Sequence, residues 1–175
     1  MTLLDEILKD NKEFVKTFKG SEMPHNPQKD LVVFSCMDCR LIEFFKPALG
    51  IKRGDAKIIT NAGNTIVNDD PIRSMVVAVY ALGAREILVV GHTQCGMANV
   101  DVDKIKSQML KAGISQDELD NYDLDKWIGG FESEEENVLK TCEIIRNHPL
   151  MPDIPVHGLI IDIITGELKV IVDGY

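Results

Sequence analysis

The sequence predicts an α/β fold built on a mainly parallel β-sheet. Short apolar runs that read as buried strands alternate with helical segments, and such alternation implies parallel strands joined by right-handed crossovers. An amphipathic helix precedes the first strand, and a hairpin pattern closes the chain. The length, 175 residues, suits one domain over 1–175 with at most an appended arm. Area scaling predicts about 8,500 Å² of folded surface, with roughly 70% of the unfolded surface buried, so the core needs no disulfide.

The elements follow in order. Leu3, Leu4, Ile7, Leu8, Phe14, Val15 and Phe18 lie on one helical stripe, and Gly20 is placed to stop that helix. After a polar stretch with Pro24 and Pro27, the run 31–36 reads as a buried strand, as do 56–60 and 86–90. Asp69-Asp70-Pro71 opens a helix with proline at its first position, and Gly83 closes it. Over 71–82 its only polar side chains are Arg73, Ser74 and the Tyr80 hydroxyl. A helix so apolar is expected to be buried on more than one side, one of them against a partner subunit. Beyond residue 97 the chain is helical and acidic. Ser115-x-x-Glu118 and Ser133-x-x-Glu136 read as capping boxes. The helix after Ser133 is expected to bury Val138, Leu139, Cys142 and Ile145 and to end before Pro149. Residues 156–164 and 167–172, joined at Thr165-Gly166, read as the closing hairpin.

Composition excludes several functions. Nineteen Lys and Arg against 28 Asp and Glu leave a net charge of −9. No basic stripe is present for nucleic acid or an anionic membrane. The longest nearly apolar run, 75–84, is half of the roughly 20 residues that a bilayer span needs. Asp5 and Glu6 stand where a signal peptide would be basic, which points to a cytoplasmic protein. Four cysteines are too few for a secreted disulfide scaffold and suit metal ligands, reactive thiols or core positions.

Two segments concentrate the chemistry, each just past the carboxyl end of an expected strand: Cys36-Met37-Asp38-Cys39-Arg40 and Gly91-His92-Thr93-Gln94-Cys95-Gly96. Ligands bind at that edge of open α/β sheets. Thiolates and imidazole in two clusters are a zinc signal. Cys142, on an apolar helix face, reads as inert core, and His25, His148 and His157 lack such company. Three readings remain open for the cluster. One is a closed structural zinc on Cys36, Cys39, His92 and Cys95, as in a non-catalytic binding module. Another is a redox dithiol at Cys36 and Cys39. The third is a catalytic zinc on Cys36, His92 and Cys95 with its fourth position open to water. Asp38 and Arg40 favour the third, because an i, i+2 ion pair can fix a carboxylate beside the open position, which a structural site does not need.

The C-x-D-x-R and H-x-x-C patterns carry a family resemblance. With Ser35–Leu41, Gly54–Lys57, Asn61-Ala62-Gly63-Asn64, Gly91–Met97 and Val156–Asp162, the chain resembles the β-class carbonic anhydrases, above all the small archaeal-type members. Cys39 departs from the serine frequent there. The resemblance implies a mainly parallel sheet flanked by helices, an antiparallel edge strand, and an N-terminal helical arm at residues 2–19. It implies a homodimer or higher homo-oligomer, with helix 71–82 in the interface. It also implies Zn2+ held by Cys36, His92 and Cys95, an Asp38–Arg40 dyad, a backbone N–H from Gly96 near the substrate, and Lys57 lining the cleft. The activity implied is reversible hydration of carbon dioxide to bicarbonate by a zinc-bound hydroxide. Hydrolysis of carbon disulfide or carbonyl sulfide on the same scaffold is the alternative.

Overall fold

The computed structural model of the chain describes residues 1–175. Helix α1 (Leu3–Thr17) starts at Thr2, which forms a capping box with Asp5. It ends at Phe18 in extended backbone, before Gly20, so that glycine is not its stop. None of its residues is buried in the chain, and its apolar stripe from Leu3 to Phe18 faces outward. Strand β1 (Leu31–Cys36) follows, then the one-turn α2 (Phe45–Ala48), β2 (Ala56–Asn61), α3 (Asp70–Tyr80) and β3 (Glu86–His92). Helices α4 (Val102–Lys111), α5 (Gln116–Leu119), α6 (Leu124–Ile128) and α7 (Glu134–Asn147) lead to β4 (Val156–Ile161) and β5 (Leu168–Val172).

The strand order is β2-β1-β3-β4-β5, with four parallel strands and β5 antiparallel at one edge. The central strands are buried on both faces because their side chains alternate into two cores. Val32, Phe34, Ile87 and Val89 meet Ile72, Met75 and Ala78 of α3 and Val138, Cys142 and Ile145 of α7. Val33, Val90 and Ile161 meet Leu41, Phe45 and Ile51 on the other face.

Several expectations shift. Strand β3 runs two residues further than expected, to His92. Strand β4 stops at Ile161, because the Asp162 carboxylate accepts from the Ile164 and Thr165 N–H groups and starts the turn early. Ser115 does form a reciprocal box with Glu118, but the helix it opens is a single turn. In α7, Leu139 is exposed rather than buried. At about 100° per residue the buried arc runs from Asn137 through Val138 to Cys142, and Leu139 falls outside it. Helix α3 buries Pro71, Ile72, Met75 and Ala78, while Val77 and Tyr80 on its outer side are exposed. The accessible surface is 11353 Å², roughly a third above what area scaling gives for this mass. The undocked α1 and these bare apolar faces contribute to the excess.

Candidate metal centre

The chain passes from β1 to β2 on one side, then crosses back over β1 to reach β3 on the other. The carboxyl ends of β1 and β3 therefore flank the point where strand order reverses, the usual crevice for ligands. Cys36 is the last residue of β1 and His92 the last of β3. Past His92, Thr93 extends the ladder by donating its N–H to Ile161. Gln94 then takes a left-handed φ of 56°, which turns the chain so that Cys95 returns toward Cys36. The Cys95 N–H donates to Glu134 Oε1 at 3.3 Å, and its carbonyl accepts from Ala98.

These turns bring Cys36, His92 and Cys95 together, their ligand atoms all within 4.8 Å of one another and all three residues buried. The two sulfurs lie 4.0 Å apart. Two thiolates on one tetrahedral zinc, each at about 2.3 Å, would sit about 3.8 Å apart. His92 fits the same ion. Its Nδ1 lies 2.9 Å from the Thr93 carbonyl, which can only accept, so Nδ1 carries the proton. In the neutral ring Nε2 is then a lone pair, and the atom is fully buried without a hydrogen-bond partner. A buried orphan acceptor facing two thiols is costly unless a cation occupies the centre.

The electrostatics agree. The Cys95 thiol hydrogen-bonded to Cys36 drives the Cys36 thiol well down against the cost of burial, with help from His92 and the Gly63 N–H. The same contact pushes Cys95 up, so without a cation only one of the pair ionises. Burial opposes charge on His92, but the Cys36 thiolate and the Thr93 carbonyl outweigh it and raise the imidazole. A central cation reverses that preference, favouring two thiolates and a neutral ring.

Beside the cluster, Arg40 grips Asp38 with both ends of its fork: Nε to Oδ1 at 2.9 Å and Nη2 to Oδ2 at 2.6 Å. The Arg40 N–H adds a third bond to Oδ1. These bonds hold the Asp38 carboxyl down at about 2. Arg40 Nη2 also donates to the Gln94 carbonyl at 2.8 Å, tying the loop after β1 to the loop after β3. Asp38 Oδ2 comes to 3.8 Å from the unpartnered His92 Nε2.

The remaining sequence candidates lie elsewhere. Cys39 is exposed and outside the three-ligand group. Gly96 follows Cys95 in an exposed turn with open space beside its Cα. Lys57 is not brought to the cluster within this chain. It pairs with Val32, four residues before the β2 end that pairs with Cys36, and so about 13 Å away along the strand. Cys142 is fully buried, its thiol pushed up to about 11 by burial. The structure adds residues the sequence did not single out. The Gly63 N–H donates to Cys36 Sγ at 3.3 Å, Glu134 holds the Cys95 amide, and Gln94 supplies the carbonyl for Arg40. Gly63 and Gln94 had a signal, inside the Asn61–Asn64 and Gly91–Met97 segments, and Glu134 had none.

A parallel α/β sheet with two cysteines and a histidine able to hold a metal ion at its switch point, and an Asp–Arg pair beside them, points to a class of enzyme. A carbonic anhydrase family model matches residues 31–168. The β-carbonic anhydrase isoform I of Trichomonas vaginalis superposes with a TM-score of 0.95 at 36% identity, each chain covered in full. YvdA of Bacillus subtilis, provisionally named a carbonic anhydrase, is 40% identical over 185 aligned positions, covering 100% of this chain and 94% of its own. The carbon disulfide hydrolase of Acidithiobacillus thiooxidans is 35% identical over 164 positions, 84% of this chain and 78% of that protein. The chain belongs to the β-carbonic anhydrase family.

Proposed function

We propose that the protein catalyses reversible hydration of carbon dioxide to bicarbonate and a proton, with zinc held by Cys36, His92 and Cys95. The observation that carries this reading is the count and position of the donors. Three buried ligand atoms converge, the fourth nearby thiol is turned out to solvent, and a clamped carboxylate stands at 3.8 Å from the histidine donor. A closed structural site would use the fourth thiol and would have no need of the carboxylate.

When bound, zinc supplies the Lewis acidity that brings ionisation of a water molecule toward neutral pH. The protein's part is orientation. Asp38 stays ionised through the working range, so it accepts a hydrogen bond from the reacting water and aims a lone pair at the carbon of the substrate. Arg40 occupies both Asp38 oxygens and the Gln94 carbonyl, keeping the carboxylate from swinging into the cluster. Gly96, next to Cys95 in an exposed turn, would offer its N–H to the substrate. The exposed stripe of α1, the bare Val77 and Tyr80 of α3 and the unpaired edge of β2 support a homodimer or larger assembly. No helix is long and apolar enough to cross a membrane.

The carbon disulfide hydrolase relatives favour a second reading, hydrolysis of carbon disulfide or carbonyl sulfide at the same centre. Stopped-flow assays on zinc-loaded protein separate the two. Carbon dioxide hydration far faster than sulfur-substrate hydrolysis is expected. Hydrolysis of carbon disulfide without measurable hydration would overturn the proposal.

A further inference from the structure

One face of α7 reaches the loop that carries Cys95 and the turn after β2 whose Gly63 N–H meets Cys36. Glu134 Oε1 accepts from the Cys95 N–H, Asn137 Nδ2 donates to the Gly63 carbonyl at 2.9 Å, and Thr141 Oγ1 donates to the Asn64 carbonyl at 3.2 Å. The spacing i, i+3, i+7 lines these three side chains along the helix. Gly63 and Asn64 are consecutive residues with left-handed φ values of 72° and 47°, so the turn they make is unusual backbone that needs fixing from outside. Asn137 and Thr141 grip its two carbonyls, and both are buried. The peptide just ahead of these carbonyls presents the Gly63 N–H to Cys36 Sγ.

We propose that Asn137 is a positioning residue for the metal centre: by holding the Gly63 carbonyl it fixes the Gly63 N–H against the Cys36 sulfur. The inference rests on the reading of Cys36, His92 and Cys95 as metal ligands. A hydrogen bond to a thiolate draws electron density from the sulfur and fixes where its lone pairs point. Releasing the Gly63 peptide therefore both loosens the ligand and makes its sulfur a stronger donor. Thr141 is the internal control. It is as buried, on the same helix and the same turn, but the carbonyl it holds is one peptide further from Cys36.

The test uses the full chain loaded with zinc, and with cobalt(II) as a spectroscopic stand-in. Chelator competition is expected to show zinc held about tenfold more weakly in Asn137→Leu than in wild type. The thiolate-to-cobalt charge-transfer band is expected to move in Asn137→Leu and to keep its wild-type position in Thr141→Val. If Asn137→Leu does not fold, Asn137→Asp carries the same measurement, since it keeps the shape but turns an oxygen toward the Gly63 carbonyl. A folded Asn137 variant with wild-type affinity and an unmoved band overturns this inference alone. Equal band shifts in the Asn137 and Thr141 variants overturn it too, because the effect would then be general loosening of the turn. Failure of wild-type protein to take up metal, or uptake undisturbed by Cys36→Ala, would instead sink the ligand reading beneath it.

Discussion

At the scale of single residues, the Asp38–Arg40 pair and the three proposed ligands make separable predictions. Changing Cys36, His92 or Cys95 to Ala should abolish zinc binding, whereas Cys39→Ser should keep one zinc per chain, because Cys39 is exposed and outside the group. Metal analysis of the dialysed proteins decides, and an empty site in Cys39→Ser would restore the closed four-ligand reading. Asp38→Ala and Arg40→Ala should retain zinc yet lose about 10- to 100-fold in activity, as loss of an orienting partner does. The pair also leaves a trace in stability. Arg40 lowers the Asp38 carboxyl to about 2, so its contribution is present above the ordinary carboxylate range and lost as pH falls through that value. The gap in urea midpoint between wild type and Arg40→Ala should therefore be open at pH 6 and closed below about pH 2. A gap that persists unchanged in strong acid would assign the Arg40 effect to packing.

At the scale of elements, the turn after β2 is the most exposed to a single change. A methyl group on Gly63 would stand 2.9 Å from Met97 Cβ and from Phe131 Cε1, on a residue whose φ is already left-handed. Gly63→Ala should cost about 1–3 kcal/mol in chemical denaturation and weaken zinc retention, since the same residue donates to Cys36. Wild-type stability with wild-type zinc retention would show that the turn can relax. This turn also marks the limit of what the sequence makes legible. Strand β1 could be read directly, because six apolar or small residues between turn signals suit only a buried strand, and Cys36 ends it. The pairing of Cys36 with His92 and Cys95 was legible because ligand types cluster at two strand ends. Asn137 was not. A lone asparagine on a helix has no local pattern, and its partner lies 74 residues away, so only the packing of α7 on the sheet defines its role. Leu139 misled for a related reason: spacing locates the buried stripe to within one residue, and tertiary contact decides its edges.

At the scale of the whole molecule, exposed apolar side chains gather on α1, on the outer side of α3 and at the β2 edge, where Ile58 is also exposed. Leaving such area in water costs about 25 cal/mol per Å² of apolar surface. Light scattering at micromolar concentration should report a dimer or larger particle, and Val77→Glu, at a position already exposed in the single chain, should shift the distribution toward monomer. A wild-type monomer with full activity would remove α3 from any interface and leave the site complete within one chain.

Helix α1 carries a consequence that reaches beyond assembly size. A helix of 15 residues, even with the Thr2–Asp5 box at its start, is marginal in water when nothing packs against it. The order of this segment is then borrowed from whatever covers its stripe, and it becomes a reporter of concentration. On dilution its amide hydrogens should begin to exchange with solvent deuterium at nearly the rate of free peptide. Those of β1 and β3, locked between two cores, should keep their protection.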